Sequence, residues 1–304
     1  MDMSLFPIPF SRILTGFTTC PTANIPNVHP VDLLDKPLGV HKATSKTPHH
    51  LVVPPIPVPG GSELSPAWEA CFSNGSINPG NKTAPPGGFG FYLHGPLPFA
   101  KALKELGDEE EVIFSYDVLF DEGFEWVKGG KLPGIYGGAG DSAYGCTGGR
   151  QEDRCRCFDL RLMWRENAVG ELYAYLPHHD KNTERLMAVP PKSIRHPDYG
   201  FSVGRGALKF ESGRWMRIAE RVKVNDVGKE DGEIEVFVDG RSVMHANGLV
   251  IRTEEGADGR VQGLHMQTFF GGHSPDWASP KDQRAWFANI SGAILKRQVR
   301  HNEL

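Results

Sequence analysis

From about residue 110 onward, apolar and polar residues alternate with a period of two, and this pattern constrains the fold more than any other feature. Segments of this kind form β-strands that bury one face. The dipeptide Asp239-Gly240 separates two of them, which is typical of a two-residue β-hairpin. The predicted strands are EVIFSYDVLF (111–120), CFDLRLMWR (157–165), GELYAYL (170–176), RWMRIAERVKVND (214–226), GEIEVFVDG (232–240), VQGLHMQTFF (261–270) and AWFANISGAIL (285–295).

No helical pattern lies between these strands, so the crossover helices that a parallel sheet needs are missing. The sequence therefore predicts an all-β domain of antiparallel sheets, arranged as a sandwich or jelly roll. The only helix we expect is a short one within PFAKALKELGDEEE (98–111), where Ala100, Leu103 and Leu106 share one face.

The first part of the chain has a different composition. Seventeen of the 24 prolines lie in the first 100 residues, including the run VVPPIPVPGG (52–61). Proline cannot donate to a helix or sheet ladder, so long helices and central strands are excluded there. We expect residues 1–87 to form an irregular arm packed on a jelly-roll domain of residues 88–304, the alternative being a disordered tail.

Charge and motif content exclude several classes of function. The formal net charge of -4 argues against an electrostatic nucleic-acid binder. No apolar run reaches the roughly 18 residues of a membrane span. His178-His179-Asp180 lacks a recognised metal-ligand spacing. The glycine-rich segment WVKGGKLPGIYGG (126–138) lacks the phosphate-binding GxxxxGK[ST] pattern. We therefore predict no cofactor, no metal, no nucleic acid and no membrane partner.

The cysteines and the N-terminus bear on the compartment. There are five cysteines and no CxxC, and Cys146 could pair with Cys157 if the compartment is oxidising. The start of the chain resembles a signal peptide poorly, because Asp2 occupies a position that favours positive charge and Pro7 and Pro9 interrupt the apolar stretch. We expect a cytoplasmic protein, or a secreted one if this start acts as an atypical signal.

Two neighbouring strands predict a polar face. In CFDLRLMWR every second residue is apolar, which leaves Asp159 and Arg161 on the opposite face. In GELYAYL the leucines and the alanine share a face, which leaves Tyr173 and Tyr175 on the other. Since the two apolar faces must both meet the core, these four side chains share one non-core face. This face is either a binding surface or a solvated outer face with cross-strand pairs.

Further polar residues lie on strands and loops that follow. The additional candidates for substrate binding are His265 and Gln267 on strand 261–270, Asn289 on strand 285–295, and Trp277 and Lys281 in the loop between them.

An ordered set of segments gives a resemblance to a known family. KGGKLPGIYGG, CFDLRLMWR with GELYAYL, FSVGRGALKFESGRW, EVFVDG and MQTFFGGHSPDWASPKDQ resemble polysaccharide lyase family 14, notably its fungal members, over residues 88–295. The resemblance implies a β-jelly roll of two antiparallel sheets with substrate in a concave cleft. It also implies cleavage of uronic-acid polymers, such as alginate or glucuronan, by β-elimination. The family's lysine falls on Lys131, its strand arginine on Arg161, and its tyrosine pair on Tyr173 and Tyr175.

One site position departs from the family pattern. The family carries a serine two residues before the strand arginine, and this chain has Asp159 there. A serine hydroxyl donates hydrogen bonds, whereas a carboxylate only accepts them and repels a uronate.

β-Elimination assigns roles to these side chains. The proton at C5 of a uronate is weakly acidic, so the neighbouring carboxylate must be neutralised, a base must reach C5, and an acid must meet the leaving oxygen at C4. Lys131 or Arg161 can neutralise the charge. A lysine with a lowered pKa, or a tyrosinate beside a cation, can act as base, and Tyr173 or Tyr175 as acid.

Two other functions remain open at this point. The fold can serve inside the cell on a small molecule, in fungal secondary metabolism, with Asp159 as acid or base of a cyclisation, isomerisation or dehydration. It can also be a non-catalytic sugar-binding module in which Trp277 and the tyrosines stack on sugar rings. The partner is accordingly a uronic-acid polysaccharide or a small molecule, and the sequence leaves the oligomeric state open.

Overall fold

The computed structural model describes residues 5–107 and 110–297, and strands dominate this part of the chain. Its two α-helices are short, α1 at Leu97–Glu105 and α2 at Asp180–Met187. The strands in chain order are β1 Ile13–Thr18, β2 Val28–Pro30, β3 Val40–His41, β4 His50–Val52, β5 Ala67–Phe72, β6 Gly87–Leu93, β7 Glu111–Phe120, β8 Gly129–Gly138, β9 Cys157–Arg165, β10 Val169–Tyr175, β11 Ile194–Arg195, β12 Phe201–Lys209, β13 Trp215–Lys223, β14 Gly232–Val238, β15 Arg241–Leu249, β16 Arg260–Phe270 and β17 Gln283–Leu295.

The strands form two sheets that pack face to face. In the first sheet, β17 pairs on one side with β1 and β5 and on the other with β7, which continues to β13, β14 and β15. The second sheet has the order β3-β6-β16-β8-β9-β10-β12-β11. Every pairing between these strands is antiparallel except that of β1 with β2. This is the all-β jelly roll that the alternation and the resemblance predict.

The core between the sheets confirms the predicted register. Leu160 and Leu162 of β9 and Leu172 of β10 are at most 2 % exposed and belong to the main apolar cluster. Burying one such side chain stabilises the fold by about 1.5–3 kcal/mol, so a slip by one residue is strongly disfavoured. The opposite faces of β9 and β10 therefore point away from the core.

The hairpin predicted at Asp239-Gly240 also forms. Val238 of β14 pairs with Arg241 of β15, and the two residues between them have positive φ angles of 48° and 78°. These angles are those of a type I′ turn, which suits the right-handed twist of the strands.

The segment before residue 88 is more regular than its proline content indicates. It supplies β1 to β5 and the start of β6, and β1 and β5 lie beside the long strand β17. The prolines fall almost entirely in the connections between these strands, with only Pro30 inside one of them, at the end of β2. The connections therefore carry the residues that cannot join a ladder.

Strand β8 is an element that the alternation does not predict. Glycines replace side chains where the neighbouring strand comes too close: a Cβ on Gly134 would lie 1.8 Å from the carbonyl oxygen of Leu160. The helix predicted within 98–111 is α1, which ends at Glu105. Of the rest of that prediction, Asp108 and Glu109 lie outside the described residues.

A disulfide joins Cys146 to Cys157, the first residue of β9, and thus holds the loop before that strand. Neither of the two helices in the described part of the chain is long and apolar enough to cross a membrane.

Candidate active site

The four predicted side chains meet on the outer face of the second sheet. Tyr173 of β10 lies opposite Arg161 of β9, and Tyr175 lies opposite Asp159. On the other side of β9, Tyr136 of β8 is the partner of Asp159. Antiparallel partners on one face place their side chains in contact. The pairing therefore builds a compact polar cluster, which we call the polar face.

This face is far less solvated than an ordinary outer face. Arg161 is 1 % exposed, Asp159 3 %, Tyr175 4 % and Tyr173 8 %. The tyrosines pack with the Cys146–Cys157 disulfide and Met163, and half-buried Tyr199 and Trp277 lie against them. Titratable groups buried this deeply without being part of the core are typical of functional sites.

Lys131 of β8 lies within the cluster, with its side-chain nitrogen over the tyrosine rings. Its Nζ is 3.3 Å from the ring centroid of Tyr173 and 5.3 Å from that of Tyr175. Among the described residues this buried nitrogen has no hydrogen-bond partner. Burial lowers the pKa of Lys131 well below its usual value, and the nearby Arg161 and Arg165 lower it further. An ammonium in this position is stabilised by any anion that reaches it.

Arg161 is anchored at an interruption of the sheet. Pro133 has no N–H, and the pairing of β8 with β9 shifts register between Lys131 and Gly134. The Arg161 guanidinium fills this interruption, with Nε donating to the Leu132 carbonyl at 3.4 Å, Nη1 to Gln267 Oε1 at 2.8 Å, and Nη2 to the Gln267 carbonyl at 3.0 Å. Arg161 therefore contributes positive charge to the site, and its two hydrogen bonds hold Gln267 in place.

Asp159 pairs with a histidine from β16. His265 Nδ1 donates to Asp159 Oδ2 at 2.9 Å, because a carboxylate only accepts. Burial lowers the pKa of His265, with Asp159 opposing the shift, so the neutral imidazole is favoured. The ring stacks on Tyr92 at 4.1 Å between centroids. The second oxygen, Asp159 Oδ1, is buried and has no partner among the described residues.

The two tyrosines of β10 differ in their electrostatic surroundings. Burial raises the pKa of Tyr173, and Arg165 opposes that shift. Burial also raises the pKa of Tyr175, beyond the usual range, and the neighbouring Tyr173 adds to the rise. Tyr175 is therefore the phenol that keeps its proton more firmly, although Arg161 and Arg154 oppose the rise of its pKa, while Arg165 favours the phenolate of Tyr173.

Sequence reasoning missed several groups at this site, among them Tyr136, Tyr92, Arg154 and Glu171. Arg154 is 3 % exposed and holds its guanidinium carbon 5.1 Å from the Tyr175 ring centroid. It comes from the irregular loop closed by the disulfide, where no periodicity indicates which way a side chain points. Glu171 is buried between Arg165 and Arg205 and is fully engaged by them. The remaining charge of the site is consequently positive.

The other predicted binding residues divide into two groups. His265, Gln267 and Trp277 belong to the polar face, as described above. Lys281 instead donates to the Gly123 carbonyl and pairs with Glu125 at 3.2 Å, on a loop of its own.

Asn289 lies on the first sheet, away from the polar face, where it donates to Asp117 Oδ2 at 2.7 Å. A bulge between Ala288 and Ser291, with Asn289 at a positive φ of 54°, breaks the alternation that the prediction assumed.

Comparison with known proteins matches this architecture. A family model described as Polysaccharide lyase 14 matches residues 62–290. No curated protein matches the chain. The solved PL-14 alginate lyase from Aplysia kurodai is similar over 93 % of this chain and 99 % of its own, with 29 % identity and a TM-score of 0.70. The alginate lyase vAL-1 from Chlorella virus shares the fold over 85 % of this chain and 93 % of its own, with 21 % identity and a TM-score of 0.62.

Proposed function

Since the chain belongs to the polysaccharide lyase 14 family and is therefore a lyase acting by β-elimination, we propose that its substrate is a uronic-acid polysaccharide. Alginate is the first candidate, because the Aplysia kurodai protein that the chain resembles along almost its whole length is an alginate lyase. The family match favours a polymer over the small-molecule substrate considered above.

The observation that carries this proposal is the buried side-chain nitrogen of Lys131, which has no hydrogen-bond partner among the described residues. A uronate carboxylate placed against Nζ supplies the missing acceptor and neutralises an excess of positive charge. Arg161 and Arg154 add to the local field from beneath and beside the site. Neutralising that carboxylate acidifies the proton at C5, which is the first requirement of the reaction.

The tyrosine pair supplies the two proton transfers. Tyr173 in its deprotonated form, which the nearby Arg165 favours, takes the proton from C5. The electron pair of the C5–H bond forms the C4–C5 double bond, and the C4–O bond breaks. Tyr175, whose pKa burial raises, donates its proton to the departing oxygen. The ring centroids of the two tyrosines are 5.3 Å apart, so both reach one sugar.

The test is an elimination assay on defined polymers. Purified full-length protein is incubated with polymannuronate, polyguluronate and glucuronan, and with a neutral β-glucan that carries no carboxylate. We expect ultraviolet-absorbing unsaturated products from at least one uronic polymer and none from the neutral one. Tyr175→Phe should lose the activity while keeping polymer affinity, because the ring remains and only the proton donor is removed. Absence of product from all three uronic polymers contradicts the proposal.

A further inference from the structure

The polar face is divided into a donor side and an acceptor side. On one side, Lys131, Arg161 and Arg165 present only donors. On the other, Asp159 Oδ1 and the imidazole of His265 present acceptors, because the His265 Nδ1 proton is already given to Asp159 Oδ2. The two sides are neighbours along β10: Tyr173, under Lys131, and Tyr175, opposite Asp159, follow each other on the same face of that strand.

Three side-chain atoms at this site are buried without a partner among the described residues: Arg154 Nε in the adjoining loop, and one atom each on Lys131 and Asp159 of the face. Lys131 Nζ lacks an acceptor, and Asp159 Oδ1 lacks a donor, among the described residues. Asp159 is 3 % exposed, so its free oxygen is shielded from bulk water. A buried acceptor left unpaired is costly, and a ligand that donates to it gains correspondingly. The arrangement thus fits a ligand with an anion at one edge and a hydroxyl at the other.

A uronic acid has this distribution of groups. Its carboxylate is attached at C5, and the edge of the ring opposite C5 carries hydroxyls at C2 and C3. With the carboxylate against Lys131, the far edge faces Asp159. A second carboxylate on that side is excluded by repulsion from Asp159.

We propose that the Asp159–His265 pair accepts a hydrogen bond from a C2 or C3 hydroxyl of the sugar whose carboxylate lies against Lys131. Asp159 is therefore a specificity-determining residue, and the enzyme discriminates against sugars that are O-acetylated at that edge. This inference rests on the proposed uronate-lyase function and identifies which form of the polymer it takes. Acetylation removes the hydroxyl donor and leaves an ester oxygen facing a carboxylate. Both groups are hydrogen-bond acceptors, so they repel each other and no hydrogen bond forms.

Asp159→Asn is the sharpest variant, because it keeps the size of the side chain. The asparagine Oδ1 still accepts from His265 Nδ1, which turns the amide NH₂ toward the sugar. That group donates to an ester carbonyl but no longer accepts from a hydroxyl. The exposed Asp258→Asn is the matched control, since Asp258 makes only a 3.6 Å ion pair with Arg156 and its side chain is 68 % exposed.

The experiment measures kcat/KM on one uronic polymer in a deacetylated and a chemically O-acetylated form. For the wild type and Asp258→Asn, acetylation should lower kcat/KM by roughly tenfold or more, the effect of losing a hydrogen bond to a charged group. In Asp159→Asn the ratio of kcat/KM on the deacetylated polymer to kcat/KM on the acetylated polymer should fall below about threefold. The hydroxyl of the deacetylated polymer loses its acceptor, and the ester of the acetylated polymer gains a donor. Asp159→Ser, whose hydroxyl both donates and accepts, should also lower the ratio, and it replaces the asparagine variant if that does not fold.

The outcomes separate the two proposals. A wild type that cleaves both forms equally well, or a ratio that Asp159→Asn and Asp159→Ser leave unchanged, overturns the role of Asp159 while the lyase function stands. A wild type that cleaves none of the three uronic polymers, in either form, overturns the uronate-lyase function and this inference with it.

Discussion

Replacing Lys131 with methionine should remove most of the activity. The side chain is 7 % exposed, so its attraction for a bound carboxylate acts through an effective dielectric constant near 20 rather than that of water. At a separation of about 4 Å this interaction amounts to about 4 kcal/mol. If it is realised in the transition state, its loss lowers kcat/KM by roughly 10³-fold. Methionine keeps the apolar stem over the Tyr173 ring, which limits the effect to the charge.

The matched control for Lys131→Met is Lys128→Met, three residues earlier in the chain. Lys128 forms an ion pair with Asp276, and both side chains are about half exposed. A surface pair of this kind contributes at most about 1 kcal/mol, so the control should lose less than about fivefold. The assay is the appearance of unsaturated product, with circular dichroism to verify the fold. A folded Lys131→Met protein that keeps more than about a tenth of the wild-type kcat/KM would refute the reasoning.

The pH dependence provides a second readout for the same residue. The carboxylate-binding form of Lys131 is the protonated one, and burial lowers its pKa below the usual value. The affinity for a uronic polymer should therefore fall as the pH rises through that lowered pKa. In Lys131→Arg the fall should move to higher pH, because a guanidinium keeps its charge.

Three further predictions concern stability. Burial raises the pKa of Glu110 from 4.5 to about 8, so the folded protein keeps a proton that the unfolded chain releases, and stability should fall as the pH rises between these values. Glu110→Gln should abolish that fall, giving a gain of a few kcal/mol at pH 8 in urea denaturation. Cys157→Ser should lower the free energy of unfolding by about 2–3 kcal/mol in the same assay, since the disulfide to Cys146 closes a short loop. Leu160→Ala, at a core position with no exposure, should cost about 2–5 kcal/mol.

Alternation predicted the part of the site that lies on regular strands. In β9 and β10 one face must be apolar, so the register follows from the sequence, and with it the placement of Asp159, Arg161, Tyr173 and Tyr175 on one face. The same alternation in strand 261–270 predicted that His265 and Gln267 lie together on a polar face. These placements are fixed by the cost of exposing the leucines between them.

The rest could not be predicted because other physical rules govern it. In β8 the glycines are required by the close approach of neighbouring strands. That approach depends on the tertiary structure, so the local sequence pattern does not indicate it. Asn289 was misplaced because alternation does not indicate to which sheet a strand belongs, and β17 lies in the first sheet. Arg154 lies in a loop held by a disulfide, where orientation depends on the closure of the loop.

The unpaired groups of the polar face mark the site better than their residue types do. A buried polar atom without a partner costs about 1–3 kcal/mol, and more if it is charged. The polar face carries such atoms on Lys131 and Asp159, side by side with Glu171, whose carboxylate is fully paired, and the adjoining loop carries one on Arg154. The contrast on one face of one sheet indicates that the fold keeps the two unpaired groups at a cost in stability, and a sugar carrying both a carboxylate and a hydroxyl would satisfy them together.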